Sequence, residues 1–403
     1  MRNDRYWLWF VIAFNPGNSR IWDFLSYYKD VIKAYEAVCT GEHPSLNANE
    51  KRKIKTTHLE QCDNVISFCR EKGIAIVTYE DEDYPVLLRR IPDPPALLFC
   101  RGDLDNFNSR PAVACVGTRE PSQYSLDVCR RICTELSERG FAIVSGFALG
   151  LDSAAHEAAI HTNGCTAAVL ACGIDVDYPK PNAKAKEVIE QNGVILSEYL
   201  PGMHPNAFTF QTRNRIMSGL AFATLVTEAA EGSGALITAD HAIDQGRALF
   251  CIPPSDLFDK RYSGVIKYIR DGACCAFSAF DIMYEYYTSE SFKHLSGNVV
   301  WPESWRDDEG IAIRTTRRVK AKEKKKEEEE QARDEAVLKA DELVHSFSDI
   351  QQRIVSHLRK EGRTLDELCM LCEMDTIEMM TLVTELEIMG AIEFQPDRKY
   401  VLC

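Results

Sequence analysis

Long apolar runs are missing from this chain of 403 residues. The longest near its start, Trp7 to Phe14, is about eight residues and halts at Asn15-Pro16-Gly17, whereas a membrane-spanning helix needs roughly twenty. No small-residue cleavage site follows that run, so it makes a poor signal peptide. The expectation is a cytoplasmic protein with no membrane association. Positive charge is in deficit as well. Against 61 Asp and Glu stand 47 Lys and Arg, a formal net charge of −14. That excludes adhesion to nucleic acid through a global field, and any such contact must rest on a few placed cations. Metal-ligand spacing is also absent. The 15 cysteines are scattered; Cys115, Cys172 and Cys251 sit inside apolar segments and read as small buried hydrophobes. The one Cys-x-x-Cys, Cys369 and Cys372, has no second Cys or His pair nearby to complete four ligands, and its i, i+3 spacing reads as a core-facing helix face. No metal and no cofactor are expected, and internal repeats are lacking.

What is present is ordinary apolar content, 45%, at a length that implies two to three domains. Four stretches differ in pattern. Residues 1–105 read as mostly helical, with apolar residues at helical spacing over Ile21–Cys39 and His58–Lys72, a short strand at Ile74–Val77, and Pro92, Pro94 and Pro95 as punctuation. Residues 106–290 alternate short, fully apolar strands with helices. The strands are Val113–Val116, Ala142–Ser145, Ala167–Ala171, Val194–Leu196, Ala223–Thr227 and Ala248–Ile252; the helices include Tyr124–Glu138, Ser153–His161, Lys184–Gln191 and Ala235–Gln245. This alternation predicts an α/β fold of Rossmann-like type, its parallel sheet covered on both faces. Residues 291–345 are a charged linker, almost without apolar residues over Arg317–Glu335. Residues 346–403 read as three helices, Ile350–Leu358, Thr364–Cys372 and Thr376–Met389, and a hairpin of Ile392–Phe394 with Tyr400–Leu402. That is the pattern of a winged helix, with Gln395 to Lys399 as its wing tip. Its third helix carries Asp375, Glu378, Glu385 and Glu387 nearby and no basic residue, which favours a protein-contact role over reading duplex DNA.

Ligands of open parallel sheets bind beyond the carboxyl ends of the strands, and the unusual residues gather there. Gly117-Thr118-Arg119 follows the first strand, Ser145-Gly146 through Gly150 and Asp152 the second, and Gly232-Ser233-Gly234 through Thr238 the fifth. Glycines free backbone amides at a helix N-terminus, which is a natural anion site, and Arg119 offers a planar donor fork. Lys180, held between prolines, and Asn182 follow the third strand. Arg213-Asn214-Arg215 precedes the helix of Ile216-Met217; the pair of arginines reads either as a surface or interdomain salt bridge or as a contact to a phosphate chain. Three glycine-bearing loops at strand ends of one sheet imply a shared phosphate pocket. Asp152 and His156 read as structural, Asp152 capping the helix and His156 bonding a neighbouring loop. Glu198 and Glu228 read as braces for arginines. Phe147, Tyr178, Phe208 and Phe210 are available either to stack on bases or to fill the core.

Taken together, Gly117-Thr118-Arg119, Ser145-Gly146…Gly150…Asp152…Ala155-His156, Tyr178-Pro179…Asn182, Ser197-Glu198, Arg213-Asn214-Arg215 and Ser233-Gly234-Ala235-Leu236-Ile237-Thr238-Ala239 resemble the DNA-processing protein A family, also called Smf, across the whole central domain. The resemblance implies an extended Rossmann-like fold with an N-terminal helical domain of sterile-alpha-motif type and a C-terminal winged helix. It implies a non-enzymatic protein that binds single-stranded DNA, self-associates as a homodimer through the central domain, and loads a RecA-type recombinase during DNA uptake and natural transformation. On this resemblance Arg119, Lys180, Arg213 and Arg215 neutralise phosphates. Amides around Gly146 and Ser233-Gly234 receive another phosphate, and Asn214 fixes the loop or touches a base. Thr118 stands where Ser is common, Ala235 where Ser is usual, and Pro254 where Gly is frequent. The alternatives are a small-nucleotide sensor or an N-glycosidic hydrolase of related fold. The latter carries a Pro-Gly-Gly-x-Gly-Thr-x-x-Glu signature, and Glu228-Ala229-Ala230-Glu231-Gly232-Ser233-Gly234-Ala235 lacks that arrangement.

Overall fold

The structure is a computed structural model that describes residues 3–41, 46–288, 347–358, 363–372, 374–394 and 399–402. The expected linker at 291–345 and most of the wing tip, residues 395–398, lie outside them. The chain forms two compact units, Met1–Trp301 and Pro302–Cys403.

The first unit opens with helices α1 (Asp4–Phe14), α2 (Arg20–Tyr28), α3 (Val31–Thr40), α4 (Ala48–Thr56) and α5 (Leu59–Glu71). The helix expected over Ile21–Cys39 is two. Lys29 takes a left-handed conformation that ends α2, and the Asp30 carboxylate then accepts from the Lys33 amide to start α3. Strand β1 (Ala75–Thr78), α6 (Val86–Arg89), β2 (Leu97–Gly102) and α7 (Leu104–Asn108) follow. The expected helical region thus gives the sheet two strands. Trp7, Trp9, Phe10 and Phe24 are buried, and they share one apolar cluster with Leu97, Phe99, Ala168, Leu170 and Ile195. The alternate residues Leu98, Cys100, Ala167 and Val169 pack into the cluster on the opposite face. Period-two alternation therefore buries both faces, and the N-terminal helices cover one of them.

The six strands read from the pattern are β3 (Ala112–Val116), β4 (Ala142–Ser145), β5 (Thr166–Leu170), β6 (Val194–Ser197), β7 (Ala223–Val226) and β8 (Ala248–Cys251); a two-residue β9 (Cys274–Cys275) closes the edge. The nine-stranded order is β1-β2-β6-β5-β4-β3-β7-β8-β9. From β6 to β9 every pairing is parallel, while β2 pairs antiparallel with β6 and with β1. Between strands run α8 (Gln123–Glu138), α9 (Leu151–His161), α10 (Ala183–Asn192), α11 (Ala207–Leu220), α12 (Gly234–Asp244) and α13 (Ser263–Arg270), with α14 (Ala279–Thr288) last. The chain winds outward from β3 through β6, then returns to lay β7 on the other side of β3. That reversal opens a crevice between the carboxyl ends of β3 and β7, where doubly wound sheets bind ligands.

In the second unit, helices Asp349–Leu358, Leu365–Cys372 and Thr376–Ile388 pack with an antiparallel hairpin of β10 (Ile392–Phe394) and β11 (Tyr400–Leu402). This is the winged helix read from the sequence. Cys372 is buried in its core and Cys369 packs against it, so the Cys-x-x-Cys spacing is a core face. Among the described residues no group of His, Cys, Asp and Glu is arranged to hold a metal ion, and no helix is long and apolar enough to cross a membrane.

Candidate functional site

A cleft of about 370 Å³ opens at the β3/β7 reversal. Its walls are Gly117, Thr118 and Arg119 from the loop after β3, Ala148 and Asp152 after β4, Phe210, Arg213 and Asn214 of α11, and Ser233, Gly234 and Thr238 at the start of α12. The glycine-bearing loops of the sequence therefore do converge. Gly117 is required by space: a Cβ there would lie 2.2 Å from Leu151 Cδ1 and 3.1 Å from the Glu228 carbonyl oxygen. Gly150 is required by conformation, with φ of +81°. It lets the Thr118 carbonyl accept from the Leu151 amide at 3.2 Å, which ties the first two loops together. The third loop is fastened by Thr118 N donating to the Glu228 carbonyl at 2.9 Å and by Asn214 Nδ2 donating to the Gly234 carbonyl at 3.0 Å.

The strongest anion-receiving features sit on α12. Ser233 is its N-cap and accepts from the Ala235 amide, and the Gly234 amide at the first helical position has no intrahelical acceptor. The helix dipole adds positive potential at that end. One turn in, Thr238 belongs to the cleft wall; its side chain is fully buried, and its hydroxyl has no hydrogen-bond partner among the described residues. A buried polar atom without a partner is costly unless something outside the chain supplies one. Gly232, with φ of +81°, makes the turn into Ser233 and is exposed.

Arg119 is the exposed cation at the mouth. Its guanidinium lies over the Phe210 ring at 5.3 Å from the centroid, and Phe210 in turn is 5.7 Å from the Tyr178 ring. A smaller recess beside them is lined by Arg119, Leu149, Tyr178 and Phe210. Phe147 is buried, so it belongs to the core, whereas Phe208 is exposed. Lys180 is exposed in the loop after β5, on the same sheet edge but outside the cleft wall. Asn182 works structurally: its Nδ2 donates to the Phe147 carbonyl at 3.1 Å and to Ser153 Oγ at 3.2 Å. Ser145 is buried, its Oγ donating to the Cys115 carbonyl at 2.6 Å.

Several expectations need correction. Arg213 and Arg215 do not precede a helix; both lie within α11, two residues apart. At about 100° per residue, they point to opposite sides. Arg213 turns to the cleft but is buried. Its Nη1 donates to the Gly146 carbonyl at 2.6 Å and to the Val169 carbonyl, and its Nε donates to Asn214 Oδ1. Burial pulls its pKa below the usual arginine value, against the opposing pull of Asp152. Gly146 is needed because a Cβ there would sit 2.7 Å from the Arg213 guanidinium. The Gly146 backbone helps to hold the Asp152 pKa down against burial. Arg215 leaves the cleft entirely. Its Nη1 and Nη2 lie 2.9 and 2.8 Å from the two Glu198 oxygens, and its Nε lies 3.0 Å from Asp93 Oδ2. Burial opposes the charge, but Glu198 and then Asp93 outweigh it and hold Arg215 above the ordinary arginine pKa. This is the salt-bridge alternative rather than the phosphate contact.

The acids also differ in part. Glu198 braces an arginine as expected. Glu228 does not; its Oε2 accepts from Ser122 N at 3.0 Å and from Ser122 Oγ at 2.6 Å. The N-cap of α9 is Gly150, and Asp152 instead accepts from the Ala148 amide at 3.2 Å. Burial raises its pKa, with Arg213 and the loop amides working the other way. His156 bonds a strand residue rather than a loop, its Nδ1 2.7 Å from Thr166 Oγ1. Burial, then Arg213, push its pKa down to about 3. The sequence reading missed Lys186. It is buried on α10 and its Nζ donates to the carbonyls of Ile174 and Val176 and to Asp177, shaping the loop after β5. Its place in an amphipathic helix gave no signal beyond a solvated face.

A doubly wound α/β sheet with a cleft at its reversal, together with a winged helix, defines a Rossmann-like protein. The chain belongs to the DNA recombination-mediator protein A family, whose description matches residues 75–287, and residues 329–398 match the DprA winged helix domain. It is 39% identical over 221 residues to the DNA processing protein DprA of Bacillus subtilis (strain 168), spanning 55% of this chain and 74% of that protein. Its identity to DprA of Streptococcus pneumoniae (strain ATCC BAA-255 / R6) is 41% over 206 residues, 51% of this chain and 72% of that one. The X-ray structure of DNA processing protein A from Streptococcus pneumoniae aligns with a TM-score of 0.63 at 32% identity, covering 71% of this chain and 99% of that chain.

Proposed function

We propose that the β3/β7 cleft holds a backbone phosphate of single-stranded DNA and that this protein acts by binding rather than catalysis. The carrying observation is an open cleft that presents the N-terminus of α12 beside the exposed Arg119, with Thr238, whose buried hydroxyl has no hydrogen-bond partner among the described residues, in its wall. In this reading the phosphate oxygens accept from Thr238 Oγ1 and the Gly234 amide, and the exposed Arg119 neutralises the charge. Ser233 and Asn214 hold the Gly-Ser-Gly loop in place. Arg213, Gly117, Gly146 and Thr118 shape the wall. Lys180 meets the strand beyond the cleft. Arg215 is left out of the groove.

The preference for single strands rests on the aromatics. Phe210 and Tyr178 stand next to Arg119 at the mouth, where unpaired bases can stack without sequence preference. Paired bases in a duplex have no free faces to offer. Family membership supports a DNA-processing role, and loading of a RecA-type recombinase, homodimer formation and action during natural transformation belong to the same proposal. A titration of single-stranded against duplex oligonucleotides tests it, with a mononucleotide competitor alongside. Preferential single-strand binding is expected. Displacement by a mononucleotide at low concentration would favour a nucleotide sensor. Release of free base from a nucleoside monophosphate would restore the hydrolase reading.

A further inference from the structure

The sheet edge that carries the cleft also carries the loop after β8, since β3, β7 and β8 are parallel. None of this loop lines the cleft. At its tip two adjacent apolar side chains stand in solvent, Phe258 at 93% exposure and Leu257 at 70%. The tip is braced rather than loose. Tyr124 Oη donates to the Pro253 carbonyl at 2.9 Å. The Tyr262 hydroxyl is 2.8 Å from Ser122 Oγ and 3.0 Å from Ser125 Oγ. Within the loop, Asp256 Oδ1 accepts from the Phe258 amide and Asp259 from the Arg261 amide, both at 2.9 Å. Both ends of the loop are therefore fastened to the segment that follows Gly117-Thr118-Arg119. Asp259 occupies the Arg261 guanidinium at 2.6 Å, while Lys260 is exposed.

A single exposed apolar residue needs no explanation; two neighbours on a braced tip beside a candidate strand-binding cleft do. A second copy of the chain is a poor occupant, because a stable interface needs roughly 800 Å² and about twenty residues on each side. One or two unpaired bases match two side chains and need only a ring face to lie on. We propose that Phe258, with Leu257 beside it, is a base-stacking subsite that carries a single strand from the cleft across the β8 side of the sheet edge, with Lys260 meeting a phosphate there. The inference rests on the single-strand reading above.

The test is a titration of the full chain against oligothymidylates of graded length, with wild type, Phe258→Ala and Phe258→Trp. The Ala variant should match wild type on the shortest strands that bind and fall about tenfold behind on longer ones. The Trp variant should restore affinity. Abasic strands of the same length should erase the difference, because they keep the phosphates and lose the bases. Equal affinity of Phe258→Ala at every length overturns the subsite. So does a deficit that persists on abasic strands, or a loss of self-association in place of a loss of binding. Failure of wild type to bind any single strand sinks the parent reading and this inference with it.

Discussion

Arg215→Ala separates architecture from DNA contact. The side chain is 3% exposed, and its partner Glu198 is equally buried, at 3%. Both Glu198 oxygens are taken by the guanidinium at 2.8 and 2.9 Å, and the third donor reaches Asp93 at 3.0 Å. Truncation leaves a desolvated carboxylate without its cation. Breaking one side of such a pair costs about 3–5 kcal/mol. In a unit of this size each kcal/mol moves Tm by about 2–4 °C, so Tm should fall by roughly 10 °C. The assay is thermal unfolding followed by circular dichroism, paired with single-strand titration below the transition. Affinity of the folded variant should equal wild type. Adding Glu198→Gln should recover part of the stability, because it removes the stranded charge. A variant as stable as wild type that binds single strands poorly would refute this assignment and return Arg215 to the groove.

Other outcomes follow from the same geometry. Thr238→Val keeps the shape and removes an unpartnered hydroxyl, so stability should hold or rise slightly while single-strand affinity falls about fivefold, the worth of one hydrogen bond of about 1 kcal/mol; melting and titration of the one variant check both. His156 is depressed from 6.5 to about 3, so on acidification the unfolded chain takes a proton that the folded one refuses. Its contribution is present above about pH 6.5 and is lost at ~1.4 kcal/mol per pH unit as the pH falls toward 3. Asp152, raised by burial, works in the opposite direction in both proteins, so the stability gap between wild type and His156→Gln should narrow in acid; a constant gap contradicts the burial argument. Deleting residues 345–403 should leave most single-strand affinity in place, because the helix Thr376–Ile388 exposes Glu378 and Glu385, and a near-total loss in the same titration would show that the winged helix binds the strand.

The parallel strands were legible because each is a short apolar run buried on both faces, and the cleft was legible because glycines cluster where such strands end. β2 escaped notice because Leu97–Gly102 follows Pro92, Pro94 and Pro95 and reads as a tie between domains, although its pairing with β6 makes it part of the sheet. β9 is two residues long, too short for any periodicity. Within the site, residue type located the loops but not the fate of each side chain. Arg213 and Arg215 look alike in sequence, yet a helical offset of about 200° forces them apart, and that offset was available once the helix was extended back to Ala207. The identity of Gly146 follows from the Arg213 guanidinium packed against it, a contact between residues far apart in the chain that no local pattern encodes. Thr238 was found from the loop motif, but its orphaned hydroxyl emerges only from the packing.

The most direct test of the central claim is a titration of single-stranded and duplex oligonucleotides of equal length with wild type and Arg119→Ala. Wild type should prefer the single strand. Arg119→Ala should melt like wild type, bind every sequence about tenfold more weakly, as expected for loss of a charge-assisted contact, and show a salt dependence shallower by about 0.7 in log–log slope. Full affinity in Arg119→Ala, or equal affinity of wild type for the two forms of DNA, would contradict the account.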